Sequence, residues 1–100
     1  MRLSICIATY NRAKFLNDSL YQILHNNYNK ENFEIVIVDG GSNDNTEDIV
    51  QKYKNLNLDI NFIKLQEKGG IDKDFDISVK NSKYEYCWLL RSEEHTSELQ

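Results

Sequence analysis

The chain has 100 residues, enough for one small domain and no more. Hydrophobic residues make up 40% and the formal net charge is -4, which together exclude a disordered tail and a basic face for nucleic acid. No apolar run is long enough to span a membrane and no positively charged leader with a cleavage site is present, so the expected compartment is the cytoplasm.

Leu3-Ser4-Ile5-Cys6-Ile7-Ala8-Thr9 is apolar, β-branched and short, the signature of a buried strand. Asn11 is placed to cap the helix that follows, in which Phe15, Leu16, Leu20, Ile23 and Leu24 recur at helical spacing and form one apolar face. That helix should fade near His25-Asn26-Asn27, with a polar loop reaching Asn32. Glu34-Ile35-Val36-Ile37-Val38 is apolar without alternation, which predicts a strand covered on both faces in a parallel sheet. Asp39-Gly40-Gly41-Ser42-Asn43-Asp44 reads as a turn with a left-handed glycine and with Ser42 or Asp44 as a helix cap.

Thr46 to Tyr53 is a predicted helix with Glu47 and Asp48 in its first turn, where the helix dipole favours acids. Ile60 to Leu65 is a third strand, and Gly69-Gly70 breaks the chain before a helix from near Asp72 to Ser82 with Phe75, Val79 and Ile77 as its inward residues. Tyr84 to Leu90 is a fourth strand. Cys6 and Cys87 both lie in strand-like runs and read as buried free thiols. The alternation of strand and helix predicts an α/β fold, a mostly parallel four-stranded sheet with right-handed crossovers and helices on both faces.

Ligands of such sheets bind beyond the carboxyl ends of the strands. The first exit, Ala8-Thr9-Tyr10-Asn11-Arg12, puts a cation where a helix dipole disfavours one, and an anionic ligand there would reverse the sign. At the second exit Asp39 closes an apolar strand; an ionised carboxylate only accepts hydrogen bonds, so it could read an imide N–H or a ribose hydroxyl. The alternating acids Asp72, Asp74 and Asp76 invite a calcium-loop reading, but Ile77 and Lys83 stand where that loop needs glycine and an acid.

Taken together, Ser4 to Arg12, Glu34 to Asp44, Gly69-Gly70 and Glu85-Tyr86 resemble family 2 glycosyltransferases of the GT-A fold, over essentially Leu3 to Leu90. The resemblance implies that residues 1–90 are the amino-terminal, nucleotide-sugar-binding part of such a domain, an incomplete one. It implies that Ala8, Thr9, Tyr10, Arg12, Asp39, Ser42, Gly70 and Asp72 line the pocket of a UDP- or TDP-type donor. It also implies a full-length enzyme that transfers a sugar to a polysaccharide, lipid or other acceptor, with inversion or retention of the anomeric centre; the resemblance favours inversion. A divalent cation, Mg or Mn, would serve that enzyme by neutralising a nucleoside diphosphate leaving group, with its Asp-x-Asp ligands following the fourth strand. No residue here is assigned to catalysis or to the metal, and the fragment alone is expected to be inactive.

Where many family members carry Ala-Arg-Asn after the glycines, this chain has Asp74-Phe75-Asp76. The Asp72-Lys73-Asp74 version resembles a subgroup acting on deoxysugars of bacterial surface polysaccharides. Residues 91–100, Arg91 to Gln100, resemble a translated sequencing-library adapter and are read as an artefact, so Glu93, Glu94 and His95 receive no role.

Three other readings compete. A receiver-type signalling domain would use Asp39 as phosphoacceptor, but Thr9-Tyr10 stands where such a domain needs an acidic pair. A dinucleotide-dependent oxidoreductase needs a glycine fingerprint that the first turn lacks. A nucleotidyltransferase of related fold usually has a glycine-rich first loop, which is also missing.

Overall fold

The computed structural model describes residues 3–25, 33–66, 71–84 and 86–91. Strands β1 (Leu3–Thr9), β2 (Phe33–Asp39), β3 (Ile60–Lys64) and β4 (Tyr86–Arg91) alternate with helices α1 (Ala13–His25), α2 (Thr46–Asn55) and α3 (Ile71–Lys80). The expected elements are all present. The strands form one sheet in the order β3-β2-β1-β4, and every pairing is parallel. The loop expected to reach Asn32 and the Gly69-Gly70 step lie outside the described residues.

The register explains which residues must be apolar. β1 and β2 pair from Leu3 with Phe33 to Thr9 with Asp39. Side chains alternate across a strand, so Ile5, Ile7, Ile35 and Ile37 share one face with Thr9 and Asp39. Against that face α1 packs Leu16, Leu20 and Ile23, while α2 adds Val50 and Tyr53. Leu58, in the connection before β3, completes this core and has no periodic signal of its own. The Tyr53 hydroxyl, its pKa pushed up by burial, donates to Asn17 Oδ1 at 3.0 Å and so joins α2 to α1.

The opposite face carries Ser4, Cys6, Ala8, Glu34, Val36 and Val38, and α3 packs over it. Here the expectation for α3 fails in part. Val79 is 42% exposed and Phe75 and Ile77 are only half-buried, whereas Asp74 and Ser78 are buried at 3% and 0% exposure. The cause lies in the strand beneath: β1 offers only short side chains on this face, so small helix residues fit against it. Ser78 buries without an unmet hydrogen bond because its hydroxyl donates back along the helix to Phe75 O at 2.7 Å; the half-buried Ser82, just past the helix, donates likewise to Ser78 O at 2.8 Å. Ser82 Oγ also lies 3.3 Å from Cys6 Sγ.

The cysteine expectation holds for Cys6, which is buried, and not for Cys87, which is exposed. Both are free thiols. Cys87 pairs with Ser4 on the α3 side of the sheet, where α3 packs mainly over β1 and β2. At the amino end of the sheet the buried Glu34 carboxylate accepts from Ser4 Oγ and from the Lys83 amide, both at 2.7 Å. This ties the α3–β4 connection to β2.

Removing a fully buried side chain here leaves a cavity, and removing an exposed one does not. Leu20→Ala is expected to lower stability by about 2–5 kcal/mol, and Val79→Ala by less than about 0.5 kcal/mol. Urea denaturation of the two variants against the parent chain measures the contrast, and equal losses would refute the assignment of α3's outer face.

Candidate functional site

Parallel pairing brings the carboxyl ends of β1 and β2 side by side, with Thr9 opposite Asp39. Two loops leave this point, residues 10–12 toward α1 and residues 40–45 toward α2. They are cross-linked. The Gly40 amide donates to Thr9 O at 2.9 Å, the Asn11 amide to Ser42 Oγ at 2.8 Å, and the Asn43 amide to Asn11 Oδ1 at 2.7 Å. The Ala13 amide donates to Asp44 Oδ2 at 3.1 Å. On the far side the Leu65 amide donates to Asp39 O at 2.8 Å, which fixes the β3 exit to the same loop.

Asp39 is the last residue of β2 and is 1% exposed. Its Oδ1 accepts from both the amide and the hydroxyl of Ser42. Among the described residues its Oδ2 receives only the Ser42 amide, at 3.2 Å. A carboxylate has about four lone-pair sites, so Oδ2 keeps acceptor capacity. Gly41 allows this geometry. Its φ is 99°, and a Cβ there would lie 3.2 Å from Leu65 O and 3.3 Å from Gln66 O, so the expected left-handed glycine is Gly41.

Several expected roles change. Among the described residues Asn11 does not cap α1; with φ at 51° it turns its side chain across to accept the Asn43 amide, a conformation asparagine tolerates better than most residues. Among the described residues Ser42 does not cap α2, because its amide and hydroxyl both serve Asp39. Asp44 does more than expected: it accepts the Thr46 amide and hydroxyl through Oδ1 and caps α1 from the other loop through Oδ2. The anion at the start of α1 is therefore the protein's own. Arg12 precedes α1, its carbonyl accepting the Leu16 amide at 2.9 Å, and its guanidinium lies 5.7 Å from the Phe15 ring centroid. Among the described residues it has no ion-pair partner.

Of the other predicted site residues, Ala8 and Thr9 are buried at the end of β1 and Tyr10 is half-buried. Thr9 Oγ1 is buried and has no hydrogen-bond partner among the described residues. Gly70 lies outside the described residues; Asp72 is placed in the first turn of α3, but its side chain lies outside the description. The structure thus brings Thr9, Asp39, Ser42 and the Tyr10–Arg12 arm together and leaves the Gly70–Asp72 side without geometry. Asn11, Asn43 and Asp44 enter as bracing residues, and their one sequence signal is asparagine and aspartate in loops next to strand ends.

The described residues do not form a site for a divalent cation. Among the described residues no three His, Cys, Asp or Glu side chains converge, and Asp39 and Asp44 already accept from amides and hydroxyls. Among the described residues no helix is long and apolar enough to cross a membrane.

A family model described as glycosyl transferase family 2 matches residues 4–92. The chain is similar to the poly(ribitol-phosphate) beta-N-acetylglucosaminyltransferase TarS of Staphylococcus aureus (strain Mu50), with 31% identity over 96 residues, 95% of this chain and 17% of that protein. It is similar to the abequosyltransferase RfbV of Salmonella typhimurium (strain LT2), with 36% identity over 97 residues, 94% of this chain and 28% of that protein. The crystal structure of S. aureus TarS 1-349 in complex with UDP-GlcNAc matches with a TM-score of 0.86 and 31% identity, over 93% of this chain and 27% of that one. The α/β sheet is thus that of the GT-A glycosyltransferases. The chain spans well under a third of the length of each of these relatives.

The double role of Asp44 has a pH signature. Burial pushes its carboxyl up, but hydrogen bonds from the Thr46 hydroxyl and from the Ala13 and Thr46 amides outweigh burial and hold it below the usual value. A depressed folded pKa contributes stability that is present above the unfolded aspartate pKa of about 3.9 and is lost as pH falls through the folded value. Asp44→Ala is expected to cost about 1 kcal/mol at pH 7. That difference should shrink as pH drops below the unfolded pKa, and denaturation of both proteins across pH checks it; a pH-independent difference would refute the charged cap.

Proposed function

The chain belongs to glycosyl transferase family 2, and from that premise we propose that it holds the nucleotide of a nucleotide-sugar donor at the carboxyl ends of β1 and β2. The whole protein would transfer the sugar to a polysaccharide, lipid or other acceptor. One observation carries the reading: the buried Asp39 carboxylate, opposite Thr9, is held from one side by Ser42 with acceptor capacity left at Oδ2. An acceptor-only group reads an N–H donor, such as the imide of uracil or thymine, or a ribose hydroxyl. A UDP-type donor gains support from the UDP-GlcNAc complex of the similar TarS.

The other residues take parts that follow from their placement. Tyr10 and Arg12 flank the braced Asn11 and reach the diphosphate side, with the Arg12 guanidinium as the cation. Asp44 already occupies the amino end of α1, so the phosphates meet Arg12 rather than the helix dipole. Thr9 Oγ1, buried beside Asp39, would pair with a group supplied from outside the described residues. Ala8, Gly70 and Asp72 complete the donor site. A divalent cation is proposed for the full-length enzyme with ligands beyond the described residues.

Titration of the chain with UDP and TDP, with and without manganese, tests the reading. Binding is expected to be weak and indifferent to the metal. Asp39→Ala should weaken it at least about tenfold, the scale of one hydrogen bond to a charged group. Arg12→Gln should weaken UDP while leaving uridine unchanged. Unaltered UDP binding in Asp39→Ala would overturn the assignment of Asp39.

A further inference from the structure

Ser42 is almost fully buried, and both its hydroxyl and its amide are engaged in hydrogen bonds. A serine hydroxyl has one hydrogen to donate and two lone pairs. The hydrogen goes to Asp39 Oδ1, and one lone pair accepts the Asn11 amide at 2.8 Å. The Ser42 amide also points at the Asp39 carboxylate, at 3.2 Å from each oxygen. We infer that Ser42 is a positioning residue that sets nucleobase selectivity by fixing the Asp39 carboxylate, without itself contacting the donor. The inference rests on the donor-site reading above and assigns the residue that makes it selective.

The physical argument concerns direction. The terminal torsion of an aspartate is broad and roughly two-fold, so an unrestrained carboxylate can present either oxygen over a wide arc. The Ser42 amide reaches both oxygens, and the hydroxyl bond to Oδ1 alone breaks that symmetry, so Oδ2 keeps acceptor capacity with a defined heading. A fixed, buried acceptor discriminates strongly, because a base that presents a lone pair at that place leaves both groups unpaired. A rotating carboxylate would discriminate weakly. The same hydroxyl also holds the Asn11 amide, so Ser42 couples the direction of Asp39 to the arm that carries Tyr10 and Arg12.

The test is isothermal titration of the full 100-residue chain with UDP, TDP, CDP and GDP, for the parent and for Asp39→Ala, Ser42→Ala, Ser42→Cys and Ser42→Thr. Urea melts run in parallel establish that each variant is folded. The parent is expected to separate the best from the worst base by at least about tenfold, and Asp39→Ala to abolish the separation. Ser42→Ala should compress it by at least about fivefold, and Ser42→Cys, a much weaker donor, should compress it too. Ser42→Thr keeps the hydroxyl and should keep the separation. Ser42→Ala in the Asp39→Ala background should add nothing. A folded Ser42→Ala or Ser42→Cys variant with the parent's selectivity, while Asp39→Ala loses it, would overturn the role of Ser42 and leave the donor site standing. Loss of selectivity in a folded Ser42→Thr variant would also overturn it, since packing rather than the hydroxyl would then be responsible. A parent chain that binds no nucleoside diphosphate, or binds all four alike, would overturn the site reading and this inference together.

Discussion

Seven consecutive residue pairs join β1 to β2 in parallel, from Leu3 with Phe33 to Thr9 with Asp39. A parallel ladder needs both faces covered, since its crossovers place helices on them. The seven residues of β2 are accordingly all buried. Because side chains alternate with a period of two, a slip of one residue would exchange the isoleucine face for the small-residue face and strand Asp39 under α3. The register therefore determines the core and the candidate site at once: the pairing that buries Ile35 and Ile37 also sets Asp39 beside Thr9.

The loops beyond that ladder are held by polar contacts between residues about thirty positions apart. Their common device is a side chain from one loop meeting an amide from the other: Ser42 with Asn11, Asn11 with Asn43, Asp44 with Ala13. Each satisfies an amide that a strand end or helix start would leave open. Such bracing holds a site rigid without help from a ligand, and preorganised acceptors bind at lower cost than mobile ones.

How much of this could be read from the sequence depends on the range of the interaction. The strands, α1 and α2 were legible because apolar runs and helical spacing are local signals, and the uninterrupted run of Glu34 to Val38 announced a doubly covered strand. The family's motifs marked Thr9, Tyr10, Arg12 and Asp39. The inner face of α3 was illegible because its buried residues are Asp74 and Ser78, polar by type, and the serine is satisfied within its own helix. In the sequence Asn11 and Asp44 look like ordinary caps, because their partners sit in the other loop and nothing in the order of residues shows which amide a side chain will cross to meet. The exposure of Cys87 follows from the lateral placement of α3, a property of packing alone.

The order of the sheet has a consequence in time. β1, which precedes the other described strands in the chain, lies between β2 and β4, and its second neighbour is the last of the described strands. Pairing of Ser4 with Cys87 closes nearly the whole length of the described fold. Contacts of such long range are slow to form, and an unpaired strand edge invites pairing with another chain. During synthesis β1 therefore emerges with one hydrogen-bonding edge unmet until β4 has left the ribosome. The polypeptide is open to self-association in that interval; delay in translating β4 lengthens it, and crowding of nascent chains makes encounters within it more frequent.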